Sequence, residues 1–224
     1  AANSLLQEVL LSGIRNDYGW LSEETVDDQS RLHAQRTIIV DPIDGTRAFL
    51  RGEEEFTVCI AICEGCETVA SVIYCPAKDE MFDAALGQGA RLNDETIRAS
   101  HQSTLQDSRM IGQRRMFDHP SWPHAWPAMD VIYKNSTSYR MALVASGVAD
   151  GTIALARKAD WDVAPGALIA KEAGALASDH LKRPFRFCQA EPVQPALVCT
   201  AAPLYPKVIN RLAHLPSDLR TLQP

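Results

Sequence analysis

In VDPIDGTRAFLRG, Val40 to Gly52, two aspartates stand three residues apart around a proline, and Gly45-Thr46 follow at once. Two carboxylates held close each raise the cost of ionising the other, unless a cation lies between them or one is protonated. Backbone N–H groups of Gly45 and Thr46, placed at a helix start, suit an oxyanion or a phosphate. Divalent metal beside phosphate is the combination these residue types imply. On the segment alone a plain turn is equally open, because Asp-Pro and Asp-Gly are common turn dipeptides and Asp44 can cap a following helix.

The flanks define what must hold the aspartates. Thr37-Ile38-Ile39-Val40 is β-branched and apolar, as a buried strand requires, and Ala48-Phe49-Leu50 can open a short helix. Pro42 fixes φ and donates no N–H, so the ladder is expected to stop there and the turn between the carboxylates to stiffen. Further acids stand elsewhere. Glu23-Glu24 follow Leu21-Ser22 upstream, and Asp162 after Trp161 is placed as the N-cap of a helix running to Ala173, with Pro165 in its first turn. Taken singly, the glutamates also read as a solvated surface and Asp162 as a cap.

Around these points the spacing predicts an initial helix from Leu5, Leu6, Val9, Leu10 and Ile14, already in register at the first residues. Since residue 1 is not Met, a preceding segment is expected. Tyr18 to Arg31 reads as a mobile, acidic loop. Two β-rich runs, Phe56 to Ile62 and Thr68 to Tyr74, form a hairpin, and Met81 to Ala85 continues the pattern to a turn at Gly87-Gln88-Gly89. The segment HPSWPHAWP, His119 to Pro127, breaks any regular period. Ser136 to Gly147 resumes helical spacing, followed by a strand at Thr152 to Leu155, a strand at Ala196 to Thr200 and a helix at Tyr205 to Leu212. A subdomain boundary is expected near residues 105–125, giving an N-terminal α+β part (1–115) with the metal site and a C-terminal α/β part (116–224) within one compact unit.

Of the 224 residues, 46% are hydrophobic and 22% charged, enough for a sizeable core. A formal charge of −6 disfavours direct nucleic-acid binding. A small anionic substrate stays possible where metal supplies local positive charge. With no apolar run of membrane-spanning length, a soluble, cytoplasmic protein is the expectation. Six cysteines occur. Cys63-Glu-Gly-Cys66 has metal-like spacing but lacks a second ligand pair, so a hairpin turn with reduced thiols is favoured over zinc.

The segments WLSEE, VDPIDGT and WDVAPGALIAKEAGA occur in the order and approximate spacing of motifs of the inositol monophosphatase superfamily, GEE, DPIDGT and WD-A-x-x-x-I-x-x-EAGG. The chain resembles that family over nearly its whole length, including LVASGVAD from Leu143 to Asp150. The resemblance implies an α+β fold, a layered αβαβα sandwich, a homodimer and a metal-dependent phosphomonoesterase. It also implies Mg2+, two or three ions, with Mn2+ as a substitute and Li+ or Ca2+ inhibitory. Carried over by position, Glu23, Asp41, Asp44, Asp162 and the Ile43 carbonyl would be metal ligands. Glu23 and Thr46 would orient and deprotonate the attacking water, with Asp44 in the catalytic set. The Gly45 and Thr46 amides would hold phosphate, and Asp44 and Asp162 would also border the substrate. Ser22 stands where the family usually has Gly, and Ala175 where it has the second Gly of EAGG. An N-terminal aspartate of the Thr-x-Ala-Asp type and the lysine loop before it have no match, which bears on a third metal.

Substrate choice is divided. Inositol monophosphate or a related small phosphate ester is the first reading. Arg47-Ala48-Phe49 and Glu55-Phe56-Thr57-Val58 look closer to the 3'(2'),5'-bisphosphate nucleotidase branch, whose substrate is 3'-phosphoadenosine 5'-phosphate. There Arg140 could meet a second phosphate, although an exposed helix arginine is the commoner state. Leu155 to Asp160 lacks the acidic inositol contact of mammalian-type enzymes, and its Arg157-Lys158 pair favours a more anionic substrate. A third reading is a non-catalytic regulatory or RNA-associated binding protein.

Overall fold

The apolar run Thr37 to Val40 sits inside a nine-residue strand whose Ile38, Ile39 and Val40 are completely buried. In the computed structural model, which describes residues 2–13 and 17–219, helix α1 (Ala2–Gly13) leads to strand β1 (Gly19–Ser22). Ile14 falls outside the described residues. A 3-10 turn (Ser30–His33), β2 (Arg36–Asp44) and α2 (Thr46–Leu50) come next, then β3 (Thr57–Glu64), β4 (Glu67–Cys75), β5 (Glu80–Ala85), β6 (Ala90–Leu92) and β7 (Glu95–Thr96). These seven strands form one sheet in sequence order, with β1 parallel to β2 and the other pairs antiparallel.

The remaining elements are β8 (Arg109–Ile111), α3 (Arg114–Phe117), β9 (Asp130–Ile132), α4 (Thr137–Ala145), β10 (Gly151–Ala154), β11 (Lys158–Ala159) and α5 (Asp160–Glu172). β12 (Ala175–Ser178), β13 (Val193–Gln194), β14 (Leu197–Ala201) and α6 (Tyr205–Leu212) follow. A five-stranded sheet runs β12-β14-β10-β8-β9, while β11 and β13 pair separately. The mixed helices and sheets make an α+β fold. α4 and α5 lie between the two sheets, α1 rests on β2, and α6 covers the far side of the second sheet.

Small residues let those layers close. β3 buries Cys59, Ala61 and Cys63 in the core that also holds Ala164 and Ala170 of α5. α4 and α5 cross at Gly166, where an added Cβ would stand 2.7 Å from Met141 Cβ. Beyond α5, the Glu172 carboxylate accepts from Gly87 N (3.0 Å) and Gly89 N (2.9 Å), so the EAGA segment anchors the turn between β5 and β6.

Four expectations require correction. Tyr18 to Arg31 is not a loose loop: β1 pairs with β2, and the Arg31 side chain is fully buried. Its Nε donates to Asp27 Oδ1 (3.0 Å), while Nη2 donates to Asp27 Oδ2 (2.7 Å) and to the Gln189 carbonyl (2.9 Å). A buried guanidinium requires such partners, and they pin the segment.

Pro42 does not end the ladder. Pairing runs to Asp41↔Cys59, skips, and resumes at Asp44↔Thr57, a bulge with one extra residue on β2. The reason is geometric: in a regular strand residues three apart face opposite sides. The extra residue restores a common side for Asp41 and Asp44.

α5 starts at Asp160, with Ala159 as its N-cap, so Asp162 is no cap and Pro165 lies within the helix rather than in its first turn. Asp160 takes a supporting role instead, accepting from Cys188 N and Gln194 Nε2, both at 2.8 Å. Asp162 is thereby left free to face the aspartate bulge. Finally, Arg140 is only 8% exposed, not a surface residue. Its Nε donates to the Lys134 carbonyl (2.6 Å), Nη2 donates to that of Asn135 (3.3 Å), and its guanidinium stacks 5.1 Å from the Tyr133 ring centre.

The Cys63–Cys66 segment is the β3–β4 hairpin, turned at Gly65 with φ +60°, and all six cysteines are free thiols.

Candidate metal and phosphate site

Three elements converge to build the site. The bulge of β2 presents Asp41 and Asp44, and the first turn of α5 presents Asp162. Oxygen atoms from the three carboxylates lie within 4.8 Å of one another. β1 supplies a fourth acid. Its parallel register, Ser22↔Val40, brings the next residue, Glu23, beside Asp41, outside the group of three whose oxygens lie within 4.8 Å of one another.

Gly45 turns the chain out of the bulge with φ +91°, and an added Cβ would stand 2.8 Å from the Glu55 carbonyl, so no larger residue fits there. Thr46 then opens α2, and its hydroxyl donates to the Ile43 carbonyl at 3.1 Å. One lone pair of that carbonyl remains for another partner. Ile43 N donates in turn to Asp41 Oδ1 (3.0 Å), which fixes the carboxylate against its own turn.

Asp44 is 6% exposed and is held by the start of α4. Ser136 Oγ donates to its Oδ2 (2.6 Å), as does Ser138 N (2.8 Å), and Thr137 N donates to Oδ1 (3.2 Å). Lys158 donates to Thr137 Oγ1 (3.0 Å) and stands 3.9 Å from Asp162. Ser136, Thr137 and Ser138 were missed as site residues, whereas Lys158, expected to favour an anionic substrate, does line the site. The signal for these three was a Ser-Thr-Ser run at the start of a helix, the preferred chemistry of an N-terminus.

Mutual crowding shapes the titration. Burial, then the charges of Asp44, Glu23 and Asp162, push Asp41 up to about 9. Asp162 is pushed up to about 6 by burial and Asp44, against the opposing pull of Lys158. Glu23 is raised chiefly by burial, and Asp44 is raised by burial despite its three donors. Carboxyls that resist ionisation together, with oxygen donors alone, fit a hard divalent cation, which would relieve the repulsion.

Asp44 and Asp162 open onto a cleft of about 500 Å³ that Gly45, Thr46, Arg47, Arg140 and Lys158 also line. Arg157, expected to share the substrate charge with Lys158, pairs with Glu191 and does not line the cleft.

This constellation accompanies a match of the inositol monophosphatase family model to residues 1–212. The chain belongs to the inositol monophosphatase family. It is similar to the inositol-1-monophosphatase of Rhizobium meliloti, with 34% identity over 187 residues, 80% of this chain and 69% of that protein. It is also 34% identical over 150 residues to the Nus factor SuhB of Haemophilus influenzae, covering 63% of this chain. That match spans little more than half, 55%, of the relative's length. The crystal structure of the extragenic suppressor protein SuhB from Bartonella henselae superposes with a TM-score of 0.80 at 27% identity, over 96% of this chain and 83% of that one. Family members thus carry both phosphatase and Nus-factor names. Among the described residues, no helix is long and apolar enough to cross a membrane.

Proposed function

We propose that this chain is a Mg2+-dependent phosphomonoesterase that hydrolyses inositol monophosphate or a related small phosphate ester. The observation that carries the reading is the convergence of Asp41, Asp44 and Asp162, of which Asp44 and Asp162 line a cleft together with Gly45, Thr46 and Lys158. When bound, Mg2+ would supply Lewis-acid polarisation of the phosphoryl group and offset its charge. Asp41, Asp44, Asp162, Glu23 and the Ile43 carbonyl are the groups that would hold it.

The chain's own groups do the remainder. The Gly45 and Thr46 amides grip phosphate oxygens, as N–H groups at a helix start can. Glu23, whose carboxyl is raised above its ordinary value chiefly by burial, is suited to take a proton from the attacking water. Thr46, its hydroxyl hydrogen engaged by Ile43, has oxygen lone pairs to orient that water. Lys158 stabilises negative charge on the cleft side of Asp162.

A bisphosphate substrate is the second reading, favoured by Arg47, Arg140 and Lys158 lining one cleft. Arg140 has two of its nitrogens committed to carbonyls, so it could offer such a substrate only part of its fork. A regulatory role like that implied by the name Nus factor is the alternative if catalysis fails. Phosphate release with Mg2+, comparing inositol 1-phosphate with 3'-phosphoadenosine 5'-phosphate and including EDTA, tests the set. Metal-dependent turnover of the inositol ester supports the first reading, preference for the nucleotide supports the second, and no turnover of either overturns both.

A further inference from the structure

Lys158 stands two residues ahead of Asp160, the first residue of α5, where the helix dipole disfavours a cation. Its backbone is fixed there. β11 pairs antiparallel with β13, setting Lys158 opposite Gln194, and Gln194 Nε2 donates to Asp160 Oδ1 at the head of the helix (2.8 Å). Helix stability does not account for a lysine at this position, so the reason must lie in what its side chain meets.

The ammonium group lies between the cleft and the carboxylate cluster. Nζ donates to Thr137 Oγ1 at 3.0 Å and stands 3.9 Å from Asp162 Oδ2. Thr137 N donates in turn to Asp44 Oδ1 (3.2 Å), so one threonine steadies both the ammonium and a second carboxylate. At 3.9 Å the contact with Asp162 is a charge pair without a short hydrogen bond, and both side chains are 23% exposed, which makes the pair weak and exchangeable. An ammonium has three donors and Thr137 takes one, leaving two that can turn from Asp162 toward an anion in the cleft. Among the described residues, Lys158 is the one cleft cation paired with a carboxylate of the cluster.

We propose that Lys158 is a positioning residue that couples cation binding to phosphate binding, serving as the counter-ion of Asp162 in the metal-free protein and turning to the phosphate group once Asp162 holds a divalent cation. The inference rests on the Mg2+-dependent phosphatase reading and adds a linkage between the two ligands of that site. A cation at Asp162 and the ammonium repel, so Lys158 opposes Mg2+ while the cleft holds no anion. Phosphate removes this opposition, because its oxygens give the ammonium charge-assisted hydrogen bonds in place of Asp162. The linkage is reciprocal: whatever phosphate adds to Mg2+ affinity through Lys158, Mg2+ adds to phosphate affinity.

The test is a calorimetric titration of the full chain with Mg2+, alone and at a fixed concentration of inorganic phosphate, for the wild type, Lys158→Met and Lys158→Arg. Methionine keeps the apolar stem and removes the charge. Without phosphate, Lys158→Met should bind Mg2+ roughly three- to tenfold more tightly than the wild type. The gain in Mg2+ affinity brought by phosphate should be roughly tenfold smaller in Lys158→Met. Lys158→Arg, which keeps the charge, should return both quantities toward the wild type. Damage to the fold would weaken Mg2+ binding and cannot produce the tighter binding expected. Unchanged or weaker Mg2+ binding by Lys158→Met without phosphate, an equal phosphate gain in the wild type and Lys158→Met, or Lys158→Arg behaving as Lys158→Met, overturns the coupling and leaves the metal reading standing. A wild type that takes up no Mg2+ overturns both.

Discussion

Ser136 Oγ donates to Asp44 Oδ2 at 2.6 Å, and the same oxygen accepts from Tyr139 N at 3.0 Å as the N-cap of α4. One hydroxyl therefore joins a helix start to a carboxylate 92 residues away in the chain. The position of α4 and the aim of Asp44 are a single arrangement.

Ser136→Ala should disturb both. Loss of the cap costs about 1 kcal/mol, and the charge-assisted bond to Asp44 adds about 1.5–3 kcal/mol. Since Ser136 orients a candidate ligand, Mg2+ affinity should fall by about 10–100-fold. Thermal unfolding and a Mg2+ titration measure the two effects, and unaltered Mg2+ affinity would remove Ser136 from the site.

Asp44→Asn keeps the volume but replaces an acceptor oxygen with a donor facing Ser138 N or Thr137 N. The mismatch should cost about 1–3 kcal/mol. Metal-dependent phosphate release should drop by at least about 100-fold, beyond the loss typical of outer-shell partners. Full activity in a folded variant would sink the assignment.

Raised carboxyl groups give pH dependence a definite sign. Asp41 and Asp162 are held up at about 9 and about 6, above the unfolded value near 4. In EDTA, the stability that this difference represents is fully present below about pH 4 and is lost as pH rises through those folded values. Mg2+ needs the ionised forms, so its stabilisation should grow from pH 6 to pH 8. Unfolding temperatures measured with EDTA and with Mg2+ should diverge over that interval. A constant difference would contradict the cluster.

Gly166→Ala tests the layer that carries Asp162. The new Cβ would stand 2.7 Å from Met141 Cβ and 2.8 Å from its sulfur, so α4 and α5 must separate or Met141 must shift. A loss of about 1–3 kcal/mol is expected in denaturant unfolding. A variant as stable as the wild type would show that the helix pair yields freely.

Much of this was readable from residue order. The strand at Thr37 to Val40, the hairpin around Gly65 and the helix from Tyr205 to Leu212 announce themselves by local preference, and each formed where its pattern lay. Asp41, Asp44 and Asp162 were recognisable as carboxylates with family-like spacing, since a motif's residue types survive without coordinates.

What tertiary structure alone decided is the direction in which those groups point. The β2 bulge exists only against β3, and without its extra residue Asp41 and Asp44 would face opposite sides. Arg31 reads as a surface charge until Asp27 and the Gln189 carbonyl enclose it, and Arg140 until the Lys134 and Asn135 carbonyls receive it. Ser136 joined the site because α4 packs beside α5 between the sheets, and Lys158, on β11 just ahead of α5, meets it through Thr137 Oγ1. By itself the sequence determined which chemical groups this protein possesses. Pairing and packing between distant segments decided which of them meet, because a side chain's direction depends on partners that local preference does not specify.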